Sequence, residues 1–559
     1  METKRAFTAI LLSLAILLGY QYFFMPPPQE RTGPTPALQE PAAPPAASSA
    51  GPSIDSAANN AASALSPSDL VPAAETGAAL NARDVTVETS QYSMIITENG
   101  GGIKSFDLKK YKESTRPNSP LKQLIFTKEA SELPLQFAWG NGIPVTPPLY
   151  KADKESIQTS PGQQATLSMS ASLLPGLTLD RTLVISDDSY TIGIEYTVNN
   201  YTNQALRGAP FIRSTNLPFV QTAAKNSRYL FSGPAAFINN TLEEIKPTKL
   251  QEDGPRTLSG NLSWAAYEDT YFLCSIMPQS ETSTVQFSTS GEDKVVSTVS
   301  GPQEIIPANG SKTFKYTIYL GPKKLSVLKQ VGSNLDKVIN FGWFDLIAKP
   351  ALYLLNFFYG FLGNYGIAII LVTILFKLLF WPITHKGMKS MKTMQKIQPK
   401  MAKLREKFKD DKERLNQEMI TLYKTYKINP LGGCLPMVLQ IPVFFALYKV
   451  LLQTIELRHA PFMLWITDLS APDRLLIGFD IPVLGGIPVL TLLMGASMFL
   501  QQKMTPSAAD PTQAKIMLFL PVIFTFMFLN FASGLVLYWF VNNLLSIGQQ
   551  YFINKSVEQ

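Results

Sequence analysis

The chain has 559 residues, and 16% of them are charged, against the roughly 25% usual in soluble domains. Its net charge of +7 is concentrated in one block, because residues 385–427 contain thirteen Lys and Arg against five Asp and Glu. One basic block between apolar runs is typical of a cytoplasmic loop and disfavours a nucleic-acid-binding protein. The only two histidines, His385 and His459, weigh against metal-dependent or acid–base catalysis.

Residues 1–25 contain an apolar run of 20 residues that follows Lys4 and Arg5. A helix of that length spans a hydrocarbon core of roughly 30 Å, and the preceding charges place the N-terminus in the cytoplasm. A cleaved signal peptide is the alternative interpretation. Because residues 22–26 lack the small side chains that signal peptidase requires, we predict an uncleaved transmembrane anchor.

Residues 26–84 form a linker. Pro, Ala and Ser make up 34 of the 58 residues from 26 to 83, and none of the 58 is aromatic. Such a segment cannot bury a core, so we predict a disordered periplasmic tether.

Residues 85–341 have the pattern of an all-β domain. β-branched and apolar residues alternate with polar ones in four segments separated by turn signals, at residues 92–97, 177–185, 190–199 and 312–320. The pattern predicts a large periplasmic β-sandwich. Neither histidine lies in it, which excludes His-dependent sugar chemistry and favours a docking or scaffold module over a sugar-modifying enzyme. Cys274 lies here and Cys434 lies elsewhere, so no disulfide is expected between them.

Residues 342–559 are predicted to form an α-helical membrane domain. Residues 344–361 carry several polar groups within an apolar stretch, which indicates a helix lying in the membrane interface. Five further spans follow at residues 365–382, 431–452, 482–500, 516–531 and 535–552. With the anchor, six spans place both termini in the cytoplasm and the large domain in the periplasm. Residues 516–531 provide only about 24 Å of helix, which predicts local thinning of the bilayer.

Residues 385–427 are predicted to form a cytoplasmic hairpin of two antiparallel helices. Lysines recur at spacings of three and four beside an apolar stripe, Pro399 predicts a kink or a restart, and Asp410 and Asp411 predict a turn with an N-cap. The lysine face suits anionic lipid head groups or ribosomal RNA, although a basic loop retained in the cytoplasm is an equal alternative. The candidate contact residues are Lys389, Lys392, Lys396, Lys400, Lys403, Met391 and Met394.

One cation, Lys377, lies inside the predicted span 365–382. A lysine at mid-bilayer costs about 2.5–3.5 kcal/mol, unless its side chain reaches the head groups from a position five residues before Pro382. Thr373, Gln440 and Gln501 are further polar groups at membrane depth, and together they could line a wet groove. No acidic residue lies within a predicted span, which disfavours an ion-coupled transporter. Motifs of membrane proteases and a P-loop are also missing from the sequence.

Four segments resemble the YidC membrane protein insertases of Gram-negative bacteria. They are NPLGGCLPMVLQIPVFFALY at 429–448, APFMLWITDLSA at 460–471, DPTQAKIMLFLPV at 510–522 and SGLVLYW at 533–539. The resemblance implies a non-enzymatic insertase and chaperone without a cofactor. Such a protein inserts and folds nascent membrane proteins in the bacterial inner membrane, alone or with the Sec translocon.

The resemblance also implies a hydrophilic groove that is open to the cytoplasm and to lipid. Lys377 stands where the family usually has an arginine, and Thr373 matches a groove residue. Trp539, which follows Tyr538, stands at an aromatic groove position. A ribosome is an implied partner, but residues 554–559 lack the basic extension through which the family's tail often contacts it.

Overall fold

The computed structural model describes residues 82–126, 132–142, 147–219, 230–280, 282–291, 294–409, 411–426, 435–478, 485–504 and 511–558. The predicted anchor, nearly all of the predicted linker and Cys434 lie outside these residues. Cys274 is buried and free.

The first half of the described chain is built from β-strands, as predicted. All four predicted strand segments are strands, and residues 92–97 match their strand at both ends. The strands are β1 (Asp84–Glu88), β2 (Tyr92–Thr97), β3 (Ile103–Lys112), β4 (Leu121–Phe126), β5 (Gln136–Gly140), β6 (Tyr150–Ala152), β7 (Ser156–Gln158), β8 (Gln164–Leu174), β9 (Leu177–Ser186), β10 (Thr191–Asn200), β11 (Leu206–Asn216), β12 (Gly233–Ile238), β13 (Thr241–Glu244), β14 (Arg256–Gly260), β15 (Leu262–Glu268), β16 (Phe272–Pro278), β17 (Ser283–Ser290), β18 (Lys294–Ser300), β19 (Glu304–Ile306) and β20 (Ser311–Pro322).

The strands form three sheets. One has the order β4-β3-β2-β1-β7, the largest has the order β13-β12-β15-β16-β20-β10-β9-β8-β6, and the third has the order β14-β17-β18-β11-β19 with β5 also pairing to β11. Pairing is antiparallel except between β1 and β7. Alternate side chains of β9 and β10 are buried, so these strands contribute one face to a shared apolar core.

The second half of the described chain is helical. Two short helices, α1 (Pro247–Asp253) and α2 (Leu325–Val331), belong to the β-rich part. The others are α3 (Asp345–Leu362), α4 (Tyr365–Lys407), α5 (Lys412–Thr425), α6 (Leu435–Gln453), α7 (Val489–Met504), α8 (Pro511–Phe528) and α9 (Ser533–Glu558).

Helix bounds differ from the predicted spans in several places. The predicted short span 516–531 lies on α8, which has 18 residues and ends at Phe528, so its predicted length of about 24 Å is wrong. The predicted span 365–382 and the first hairpin arm form one continuous helix, α4, which contains both Pro382 and Pro399. A restart at Pro399 is therefore wrong. The predicted span 482–500 is also too early at its start, because Gly485 has a φ of 72° and α7 begins only at Val489.

Within the described residues, the segment Tyr365–Met394 is long and apolar enough to cross a membrane, and Leu439–Gln453 and Met517–Phe528 are shorter apolar helices. Leu378 and Leu379 of the long segment expose most of their side chains. Exposed apolar side chains on a helix of this length are typical of contact with lipid.

Candidate functional site

Lys377 lies on α4, in the apolar part of the helix. Asn364 caps the start of this helix by accepting a hydrogen bond from Ile367 N, at 3.1 Å. Thr373 and Thr384 each donate to a carbonyl of the preceding turn, so their hydroxyl hydrogens are used locally.

The amine of Lys377 finds its partner on α9. Its Nζ donates to Ser546 Oγ at 2.6 Å, and Ser546 Oγ donates to the carbonyl of Asn542 at 2.7 Å. The side chain is half-buried. No carboxylate among the described residues forms an ion pair with it, so the amine keeps its charge available.

A small, partly open cavity of about 30 Å³ lies beside this contact and has room for about two water molecules. Its wall contains one cation, several neutral polar groups and apolar side chains, and no acidic residue. The lining residues are Thr373, Phe376, Lys377, Phe380, Thr384, Leu439, Gln440, Val443, Tyr538 and Asn542. The arrangement can hold water beside a positive charge.

Four predicted groove residues therefore meet in this cavity: Lys377, Thr373, Gln440 and Tyr538. The other two do not line it. Trp539 packs among aromatic rings, 4.7 Å from Phe444 and 4.9 Å from Phe528 between centroids, because adjacent residues of a helix face different sides. Gln501 lies near the end of α7, outside the set of lining residues.

Sequence reasoning missed Asn542 and Ser546. They follow Tyr538 at intervals of four residues and therefore share one face of α9. A polar stripe at helical spacing in an apolar helix was the signal that could have found them. The same helix carries two further interhelical hydrogen bonds, from Asn543 to Ser497 Oγ at 3.0 Å and from Gln549 to Thr384 Oγ1 at 3.0 Å.

The loop between α6 and α7 is held in place by two acidic side chains. Asp473, which is buried, accepts from Trp465 Nε1 at 2.6 Å and from the backbone of Thr491, in the first turn of α7, at 3.1 Å. Asp468 accepts from the backbone of His459 at 3.1 Å and from Ser470. These bonds fix the loop against the start of α7.

The same loop contacts the β-rich part. Ile455 packs into its apolar core, and Tyr271 donates to the carbonyl of Leu452 at 3.2 Å. The guanidinium of Arg458 donates to the carbonyls of Lys112 and Glu113, at 2.7 and 3.2 Å. Burial lowers the pKa of Arg458 and raises the pKa of Tyr271 to about 12, so the phenol of Tyr271 stays protonated at pH 7.

The hairpin packs as predicted. Met394, Ile397 and Met401 of α4 are buried against Met419, Leu422 and Tyr423 of α5. Asp411 caps α5 by accepting from Arg414 N at 3.0 Å. Met394 is therefore part of the hairpin's own core rather than a surface contact residue, and the side chain of Met391 lies outside the described part of the chain.

Four of the five candidate lysines of the hairpin are exposed, namely Lys389, Lys396, Lys400 and Lys403. Lys392 is wrong as a surface residue, because it is only 7% exposed and its Nζ donates to the carbonyl of Asn554 at 2.6 Å. That carbonyl lies near the C-terminal end of α9, where the helix dipole attracts a cation. The spacing along α4 could not reveal a neighbour from another helix.

No cluster of His, Cys, Asp and Glu within the described residues could hold a metal ion. The side chains that line the cavity offer charge attraction, hydrogen bonding and apolar contact.

Comparisons with known proteins place the chain among membrane proteins. Two family models match, "60Kd inner membrane protein" over residues 357–559 and "YidC periplasmic domain" over residues 84–354. The membrane protein insertase YidC of Syntrophus aciditrophicus is 43% identical over 568 residues, which cover 99% of each chain. That of Geobacter sp. strain M21 is 43% identical over 485 residues, covering 85% of this chain and 86% of the relative. A solved structure described as an active YidC insertase with the first transmembrane domain resolved is 18% identical, with a TM-score of 0.36 over 84% of this chain and 92% of that one.

Proposed function

The chain belongs to the YidC family of membrane protein insertases, and on that premise we propose how its cavity assists a client protein into the bilayer. Its function is the insertion of membrane proteins, and it is not an enzyme. It is an inner membrane protein with a periplasmic domain that consists mostly of β-sheets.

We propose that Lys377 receives the polar or acidic segment of a client that must cross to the periplasm. The observation that carries this proposal is the contact of its amine with the neutral Ser546, beside a cavity without carboxylates. An amine paired to an acid would already be neutralised, whereas one held by a hydroxyl keeps a net charge in a medium of low dielectric constant. Thr373, Gln440, Tyr538 and Asn542 provide hydrogen-bonding groups that replace water for the crossing segment.

The insertion itself needs no nucleotide. Transfer of the client's apolar helix into lipid is favourable by about 25 cal/mol for each Å² of apolar surface removed from water. This free energy drives insertion once the polar segment has a path across the membrane. Helix α7 has 16 residues, or about 24 Å of helix, against a hydrocarbon core of roughly 30 Å. A short helix is accommodated by a thinner bilayer, and a thinner bilayer lowers the barrier for the polar segment.

For the topology, we propose six spans with the N-terminus in the cytoplasm: the anchor in residues 1–25, then α4, α6, α7, α8 and α9. The helix α3 precedes the last five and lies in the periplasmic interface. Exposed apolar side chains on this helix or beside it are Trp343, Leu346 and Phe361. The helix also carries an ion pair between Asp345 and Lys349, at 2.6 Å. A helix with such a division between apolar and charged groups suits the boundary between head groups and acyl chains.

For the partners, we propose that the exposed lysines of the hairpin, Lys389, Lys396, Lys400 and Lys403, contact anionic lipids or a translating ribosome. Lys389 lies in the last turns of the apolar segment Tyr365–Met394 of α4, and the other three lysines follow it. At the cytoplasmic end of this helix, a polybasic patch is attracted to the anionic leaflet at about 1 kcal/mol for each charge. The Sec translocon is a proposed second partner, on the ground of the family alone.

The test compares two clients in vesicles that contain the purified protein. One client exports a short acidic segment, and the other exports a neutral segment of equal length. Lys377→Gln should lower insertion of the acidic client about tenfold, equivalent to about 1.4 kcal/mol of lost attraction, and leave the neutral client nearly unchanged. Lys377→Arg should keep both activities because it keeps the charge.

Lys449→Gln is the matched control. Lys449 lies near the C-terminal end of α6, away from the cavity, and its Nζ donates to the carbonyl of Phe341 at 3.0 Å. This variant should insert both clients normally. Equal insertion of the acidic client by the wild type and by Lys377→Gln would refute the proposed role of the charge.

A further inference from the structure

Arg181 is a buried cation in the middle of the β-rich part. It lies on β9, on the face that points into the core, and only 1% of it is exposed. Its neighbours on that strand face are Leu179 and Leu183, which are fully buried. A charge in such surroundings is expected to have a partner of opposite charge.

The structure accounts for only part of the guanidinium. Nη1 donates to the carbonyl of Gly101, and one flat face lies over the ring of Tyr196, with 5.5 Å between Cζ and the ring centroid. Nε and Nη2 have no hydrogen-bond partner in the described chain, and no carboxylate there forms an ion pair with Arg181.

The two unpartnered nitrogens share one edge of the guanidinium. Their N–H groups point in the same direction, and this edge is the fork that binds anions through two parallel hydrogen bonds. A single missing partner would be an ordinary defect of packing. Here both donors of one fork lack a partner, and the described chain supplies no counter-charge, which together indicate an anion-binding site.

The nearby phenols cannot supply the negative charge. Burial raises the pKa of Tyr150 and of Tyr196, so both stay protonated at pH 7. The hydroxyl of Tyr196 donates to the carbonyl of Leu135, at 3.4 Å. Neither phenol therefore supplies the counter-charge that Arg181 lacks in the described chain.

A tight turn covers Arg181. Gly101 has a φ of 65°, and a Cβ added there would lie 2.8 Å from the ring of Tyr150 and 2.9 Å from Nη1 of Arg181. Only glycine fits this position, because any side chain would collide with both neighbours and would adopt a rare backbone conformation. Because only 1% of Arg181 is exposed, a ligand of its free edge has to be small.

We propose that the Nε and Nη2 edge of Arg181 binds a small monovalent anion, such as chloride or formate, inside the periplasmic domain. The anion neutralises the guanidinium and satisfies its two free donors, so it stabilises the folded domain. This site is separate from the cavity at Lys377 and does not depend on the insertion route proposed above.

Thermal unfolding of the full-length protein tests the proposal. The ionic strength is held constant while sodium chloride is replaced by sodium gluconate, whose anion is much larger than chloride. The transition of the β-rich domain should rise by roughly 3–5 °C for each tenfold increase in chloride above its dissociation constant. Formate should act as chloride does. Arg181→Met should abolish the dependence, and Arg207→Met, which removes an exposed arginine on β11, should keep it.

Bromide supplies a readout that does not depend on a folded variant. Crystals of the wild-type protein grown in bromide should show an anomalous peak within hydrogen-bond distance of both Nε and Nη2. Unfolding temperatures that are equal in chloride and gluconate, or a water molecule or no density at that edge in bromide, would overturn the proposal.

Discussion

The hydrogen bond between Lys377 and Ser546 provides a direct measure of the charge on the amine. The two residues lie on α4 and α9, and their side chains meet at 2.6 Å. A hydrogen bond to a charged group contributes about 1.5–3 kcal/mol to stability, whereas neutral interhelical bonds in membrane proteins contribute about 0.6 kcal/mol on average. The coupling energy therefore distinguishes a charged amine from a neutral one.

We expect Ser546→Ala to lower the free energy of unfolding by about 1.5–3 kcal/mol in the wild-type background, because it leaves a buried charge without its acceptor. In the Lys377→Met background, where the charge is gone, the same substitution should cost much less. The difference between the two backgrounds is the coupling energy. The assay is equilibrium unfolding of the full-length protein and the three variants in one detergent.

A coupling energy of about 0.6 kcal/mol or less would refute this reasoning. It would mean that the amine is neutral, or that water in the cavity replaces the hydroxyl at no cost. Either result would also weaken the proposal that Lys377 presents a net charge to an acidic client.

Two further predictions concern packing and pH. Gly366→Ala should destabilise the protein by about 1–3 kcal/mol in a thermal unfolding experiment, because the added Cβ would lie 1.9 Å from the ring of Phe462. The control is Gly360→Ala, whose added Cβ would meet nothing within 4 Å and which should be neutral or slightly stabilising. Equal effects of the two substitutions would contradict the close approach of Phe462 to Gly366. Burial raises the pKa of Glu268 from an ordinary value of 4.5 to about 7. Its contribution to stability is therefore complete below pH 4.5 and is lost as the pH rises through 7. The free energy of unfolding should fall by about 3 kcal/mol over this range. Denaturant titrations between pH 5 and 8 should show this slope in the wild type and in Glu195→Gln, but a reduced slope in Glu268→Gln; an unchanged slope would show that another group is responsible.

The sequence by itself determined the type of each element. Alternation with a period of two predicted strands β2, β9, β10 and β20, and the structure confirms all four, because each strand buries one face against the same core. The hairpin stripes were equally readable, since Met394 and its partners lie at helical spacing. The motifs of the membrane part also identified the family, which the comparisons confirm.

Only the tertiary structure decided which polar groups meet. Tyr538 and Trp539 are neighbours in sequence, yet one lines the cavity and the other packs among aromatic rings, because the choice depends on how α9 is rotated against α4 and α6. Lys392 has the spacing of a surface lysine and is buried by the end of α9. Periodicity along one element defines its faces, but the neighbour that covers each face comes from a distant part of the chain. The alternation in β9 places Arg181 on the same face as Leu179 and Leu183, but only the structure shows that two of its donors have no partner in the described chain.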